Sequence, residues 1–338
     1  MLGRAAALPD QCLEGWEKGL AWQVPASWGA SKNLLVMGMG GSAIGADILQ
    51  GILADRIPRP VAVNRTYTVP QWVGRDTLAL ACSYSGNTEE TLSAALEAKR
   101  RGARLAAITS GGHLAAWARR ERFPLLRIPA GMPPRTAVGY LVFAPLGLLV
   151  HLGWAKKGTL PVEQACAGLE RFIGSRLGPL VRASSNPAKR IAAVLAGRLP
   201  VLYGASGGWE GVTFRWRTQI EENSKSLAFH HLFPEATHNE ISGWLEPKSL
   251  MKKSMAAIFL TDPAIHPRIR RRMEFTRRIV LSQGAKALNV SVPGRSVMER
   301  MLGLVSLGDF VSVYLGLLYR IDPTPVERVE ALKKFMRA

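Results

Sequence analysis

Short apolar runs, each followed by a helix-length stretch, limit this chain to a small set of folds. In the first half the runs are NLLVMG (33–38), TLALACS (77–83), RLAAIT (104–109) and FPLLRI (123–128), with helix-like stretches at 43–53, 88–101 and 113–121. That alternation predicts a parallel sheet with helices on both faces. The pattern restarts with LPVLYGAS (199–206), SLAFHH (226–231), MAAIFLTD (255–262) and AKALNVSV (285–292). A strand–turn–helix junction rich in Gly and Ser occurs at Gly38–Ser42 and again at Gly204–Gly208, an echo that points to a duplicated fold. The expected class is α/β, with two mainly parallel, doubly wound domains at 1–155 and 191–338. A less ordered, helical connection is expected at 156–190, where Gly, Pro and a Ser-Ser-Asn-Pro break recur. A length of 338 residues suits two domains better than one core.

Several function classes drop out on composition. Apolar residues at 47% and charged residues at 20% exclude a disordered chain. The net charge of +19 invites a nucleic-acid partner, but the basic residues are scattered. The densest run, 266–280, reads as an amphipathic helix with a solvated, arginine-rich face and few aromatics, and such a field also draws anionic substrates. Cys12, Cys82 and Cys166 show no CxxC spacing and read as reduced thiols of a cytosolic protein. The N-terminus lacks the apolar core and cleavage site of a signal peptide. Residues 136–155 carry no charge over a membrane-spanning length. Pro145 and His151 sit inside that stretch and no second span of its kind is seen, so it reads as a buried helix. The expectation is a cytoplasmic protein with neither nucleic acid nor membrane as partner.

Two turns carry the chemistry. MGMGGSAIG (37–45) follows a strand and opens a helix. Its glycines, Gly41 among them, let backbone approach a ligand, and Ser42 is placed to cap a helix whose N–H groups attract an anion. A dinucleotide fingerprint is the rival reading. No acidic residue ends the next apolar run, IPRPVAVNR (57–65), to hold a ribose. SYSGNTEET (83–91) also joins a strand to a helix. Ser83, Ser85, Thr88 and Thr91 supply four hydroxyls around Gly86, more than one cap needs, and enough to bind a phosphate dianion with helix N–H groups.

SxSGxTxET after a strand resembles the phosphate signature of sugar isomerase (SIS) domains. GMGGSAIG, SYSGNTEET, ITSGGHL (108–114), PPRTAVGYL (133–141), EENSK (221–225), FPEATHNEISGW (233–244), LGDFVSVYLGLL (307–318) and DPTPVERVEALK (322–333), in that order, resemble the bifunctional phosphoglucose/phosphomannose isomerases. The stretch from about 156 to 198 carries none of these signatures.

The resemblance implies an aldose–ketose isomerase of glucose and mannose 6-phosphates, without cofactor or metal, and a site assembled from named residues. Glu222, directly before the asparagine of EENSK, would be the base that moves a proton between adjacent carbons; Glu221 beside it is the competitor. His238 would open the sugar ring, donated across the interface of a homodimer. Arg135 would stabilise the enediolate. Lys333, favoured over Lys334, would assist ring opening, and Thr324 matches the position linked to accepting both C2 epimers. His230 and His231 compete with His238 but fall in or beside a strand. A metal held by these histidines and Glu240 is disfavoured, because the spacings match no helix-face ligand pair. Two other readings stand beside this one. A non-enzymatic SIS sensor of sugar phosphates would need no Glu222, His238 and Arg135 together. An amino-sugar phosphate isomerase usually carries an ammonia-generating domain.

Overall fold

The computed structural model describes residues 1–336; the last two residues of the expected second domain, 337 and 338, lie outside them. Two parallel sheets organise the chain. The first contains β1 (Asn33–Met37), β2 (Val61–Asn64), β3 (Thr77–Cys82), β4 (Arg104–Thr109) and β5 (Leu125–Arg127), in the order β2-β1-β3-β4-β5. The second contains β6 (Leu199–Ala205), β7 (Phe229–Phe233), β8 (Met255–Leu260) and β9 (Lys286–Val290), in the order β7-β6-β8-β9. Every pairing is parallel. The central strand β3 is buried at every residue, as expected of a strand with helices on both sides.

The helices of the first half are α1 (Leu2–Ala6), α2 (Leu8–Leu20), α3 (Gly40–Leu53), α4 (Glu89–Arg100), α5 (Gly112–Arg120) and α6 (Val138–His151). Those of the second half are α7 (Val162–Phe172), α8 (Pro187–Leu195), α9 (Glu210–Ser224), α10 (Glu240–Gly243), α11 (Lys248–Ser254), α12 (Pro267–Ser282), α13 (Val297–Leu318) and α14 (Glu327–Phe335). One apolar core runs through both halves, and a smaller cluster around Leu35, Ala79 and Leu105 covers the other face of the first sheet. The helices following the first strand of each sheet, α3 and α9, pack on one another and join the two sheets. Small residues at Gly15, Gly19, Ala144 and Gly147 let α2 lie close along α6.

Four readings are refined by the structure. The run 57–65 contributes β2, an edge strand only partly buried, whose apolar signal is correspondingly thin. The strand expected at 226–231 is shifted to Phe229–Phe233, because Lys225 ends α9 in a left-handed turn and the chain needs residues to cross back to the sheet. The stretch 156–190 is helical as expected, and well packed: α7 buries Val162, Ala165, Cys166 and Leu169, and Asn186 caps α8 through the Lys189 N–H at 3.1 Å. The apolar stretch 136–155 contains the expected buried helix, of 14 residues, but a second span of that kind exists: among the described residues the 22-residue α13 is long and apolar enough to cross a bilayer. Nearly all of α13 is enclosed by α7, α8 and α9, and this enclosure accounts for its composition.

Candidate active site

The chain leaves β1 towards β2 on one side and leaves β3 towards β4 on the other. A crevice therefore opens at the C-terminal ends of these neighbouring strands, where open parallel sheets bind their ligands. Both glycine- and serine-containing turns lie there. In the second, Gly86 has φ +69°, and a Cβ on it would meet the Gly111 carbonyl at 1.9 Å, so no larger residue suits the turn. Ser83 Oγ accepts the Gly86 N–H at 3.1 Å and pairs with Thr88 Oγ1 at 2.9 Å; Ser85 Oγ accepts the Asn87 N–H at 3.2 Å. Thr88 stands at the N-cap of α4, yet its hydroxyl makes no capping bond. The first-turn amides of α4 thus remain available to an anion, beside the hydroxyls of Ser83, Ser85 and Thr88. Thr91 does not join them: it is buried, and its hydroxyl has no partner among the described residues.

The first turn contributes backbone more than side chains. Helix α3 begins at Gly40, and Ser42 lies buried in its first turn without making the expected cap. Gly41 abuts the 3₁₀ turn Pro134–Thr136, where a Cβ would come within 3.2 Å of Arg135 Cα. The echo of this turn in the second domain is filled from within. Glu210 accepts the N–H groups of Gly207 and Gly208 at 2.8 Å each, so a carboxylate of the chain itself occupies the place an anion would take.

Arg135 is the hub. It is 3% exposed and uses its whole fork. Nε donates to Asn223 Oδ1 at 2.8 Å, Nη1 to Glu222 Oε2 at 3.4 Å, and Nη2 to the carbonyls of Pro323 at 2.6 Å and Thr324 at 3.0 Å. Its own carbonyl accepts Arg215 Nη2 at 3.0 Å. Arg215 is held by Asp309 through two bonds of 2.9 and 2.8 Å, and Gln219 donates to the same carboxylate at 2.8 Å. Asn223 is fixed in turn by Ser312 Oγ at 2.9 Å. Burial raises the Glu222 carboxyl above the usual glutamate range, against the pull of Arg135, Arg215 and Lys225. Glu221 faces Arg217 instead, at 3.6 Å. The site can therefore hold a carboxylate of raised pKa against a fixed guanidinium, next to a turn lined with hydroxyls.

The expected residues divide into two groups. Gly41, Arg135, Glu222 and the backbone of Thr324 meet directly, with Ser42 in the first turn of α3 and Ser83, Ser85 and Thr88 on the adjoining turn. His238 and Lys333 do not join them within one chain. Glu222 ends the helix that enters β7, whereas His238 follows the strand's exit. The five-residue strand β7, roughly 16 Å long, runs between the two. Lys333 lies on α14, whose residues are all unburied, and makes no hydrogen bond or ion pair among the described residues. The competing histidines are engaged elsewhere. His231 pairs with Glu240, which also accepts from Tyr203. His230 stacks on Phe214 at 5.2 Å between ring centres, and burial pushes it down to about 4.

Arg215, Asp309, Asn223 and Lys225 belong to this cluster without having been singled out from the sequence. Asp309, a lone acid within the apolar run of α13, was the one available signal: a buried charge of that kind needs a partner.

The SIS domain family matches residues 30–132, and the family described as the bacterial phospho-glucose isomerase C-terminal SIS domain matches residues 184–336. Fold and crevice thus define a protein of two SIS domains. The bifunctional phosphoglucose/phosphomannose isomerase of Caldicellulosiruptor bescii is 39% identical over 96% of both chains, and that of Aquifex aeolicus 33% identical over 96% of this chain and 97% of its own. The chain belongs to the bifunctional phosphoglucose/phosphomannose isomerase family. A relative of another activity, the D-glucosamine-6-phosphate 4-epimerase of Sulfolobus acidocaldarius, is 31% identical over 69% of this chain and 70% of its own. A hypothetical protein of Thermus thermophilus shares the fold with a TM-score of 0.76, 18% identity and coverage of 98% of this chain and 89% of its own.

Proposed function

We propose that this isomerase interconverts glucose 6-phosphate and mannose 6-phosphate with fructose 6-phosphate. The observation that carries this reading is the meeting of Arg135 from the first domain with Glu222 from the second, beside the hydroxyl-lined turn. The turn at Ser83–Thr88 anchors the phosphate, with Gly41 and Ser42 closing the crevice. His238 moves a proton between the ring oxygen and O1 to open the ring. Glu222 takes the proton from C2 and returns it to C1, and Arg135 stabilises the enediolate between the two steps. Lys333 assists ring opening, and Thr324 faces the C2 configuration.

The separation of His238 from Glu222 within one chain supports a homodimer in which each site takes its histidine from the partner subunit. Exposed Phe275, which lines a cleft with Thr237 and Ile241 beside that histidine in the chain, supports a covered face. A cytoplasmic setting fits three free, buried cysteines. The test is a coupled assay of fructose 6-phosphate formation from each aldose, with glucosamine 6-phosphate 4-epimerisation run in parallel. No ketose from either aldose, or 4-epimerisation as the dominant activity, refutes the reading.

A further inference from the structure

Helix α9 ends in an unusual way. Its C-cap, Lys225, sits at φ +53°, the left-handed region that favours glycine. A lysine there carries a backbone penalty that its side chain must offset. The ammonium reaches back to the Glu222 carbonyl and across to the Pro325 carbonyl at 2.6 Å. The first bond satisfies one of the orphan carbonyls at the helix end, where a cation is favoured. The second goes 100 residues along the chain.

The strap entering α14 is thus held at three consecutive carbonyls. Arg135 takes Pro323 and Thr324, and Lys225 takes Pro325. Prolines at 323 and 325 stiffen the strap, and Asp322 Oδ1 accepts the Thr324 N–H at 2.8 Å. Because Arg135 Nη2 is saturated by strap carbonyls, the orientation of the guanidinium toward Glu222 depends on where the strap lies.

We infer that Lys225 is a positioning residue: by tying the strap to the helix end that carries Glu222, it fixes the Arg135 fork beside that carboxylate. The inference rests on the isomerase reading above. It predicts an effect on the chemical step and none on phosphate anchoring, which lies at the turn after β3.

Three variants separate positioning from folding. Lys225→Gly removes the clamp while relieving the backbone, so the melting temperature should hold or rise while kcat falls about 3- to 10-fold and KM stays within about 2-fold. Lys225→Arg, which retains donors for both carbonyls, should restore most of kcat; Lys225→Met should not. Hydrogen exchange at residues 322–327 should quicken in Lys225→Gly and Lys225→Met only. Unchanged kcat and unchanged exchange in Lys225→Gly overturn the inference, as does a kcat loss that Lys225→Arg shares. A wild-type protein inactive on both aldoses refutes the isomerase reading instead, and the exchange measurement still decides whether Lys225 holds the strap.

Discussion

Removing the charge of Arg135 should move the pH at which the enzyme switches on. Arg135 Nη1 stands 3.4 Å from Glu222 Oε2. At that distance two unit charges attract by about 1.2 kcal/mol in water and about 5 kcal/mol at an effective dielectric constant of about 20. The Glu222 side chain is 34% exposed, which places the pair toward the lower end. The guanidinium therefore pulls the carboxyl down. The remaining balance still leaves it above the ordinary range, because burial is the larger effect. A base works only when deprotonated, so the rising limb of kcat/KM should lie above about 4.3, the value of a free glutamate. In Arg135→Met the carboxylate loses its cation, its pKa rises, and the limb should move to higher pH. The plateau should also fall about 10²–10³-fold as the enediolate loses its counter-charge. Arg135→Lys keeps the charge and should show the smaller limb shift. The assay is the pH dependence of fructose 6-phosphate formation from glucose 6-phosphate. A limb that stays in place or moves to lower pH in Arg135→Met refutes the coupling.

Ser85→Ala with Thr88→Ala should raise KM about 10-fold or more with little change in kcat, because hydrogen bonds to a dianion are lost; an unchanged KM removes this turn from the site. Glu222→Gln should lower isomerisation and solvent exchange of the C2 proton by about 10²–10⁴-fold. Co-refolded with His238→Ala, it should recover about a quarter of wild-type activity, since half of randomly paired dimers are mixed and each holds one intact site. No recovery in mixed dimers shown to form places both residues in one subunit. Arg215→Met strands the Asp309 carboxylate, 7% exposed, and should cost about 3–5 kcal/mol, whereas Arg215→Met with Asp309→Leu should regain much of it in thermal melts. A single variant as stable as wild type contradicts a paired buried charge.

What the sequence determined by itself was local. Period and run length sufficed for β1, β3, β4, β6 and β8, since a strand buried on both faces is written as a continuous apolar run. The turn at Ser83–Thr88 was legible because Gly86 and the hydroxyls act within a few residues of one another. The edge strand β2 was not, since it is only partly buried, nor was the packing of α7 and α8, because it is supplied by distant elements such as α13. The meeting of Arg135 with Glu222, Thr324 and Arg215 spans 80 to 189 residues of chain, and no local pattern encodes such a separation. Tertiary structure alone decided it, by packing α3 against α9 so that the switch-point crevice of one sheet faces the end of the other's first helix. The same packing decided which of the paired glutamates turns inward. Successive residues on a helix point about 100° apart, so one of them faces Arg135 and the other Arg217.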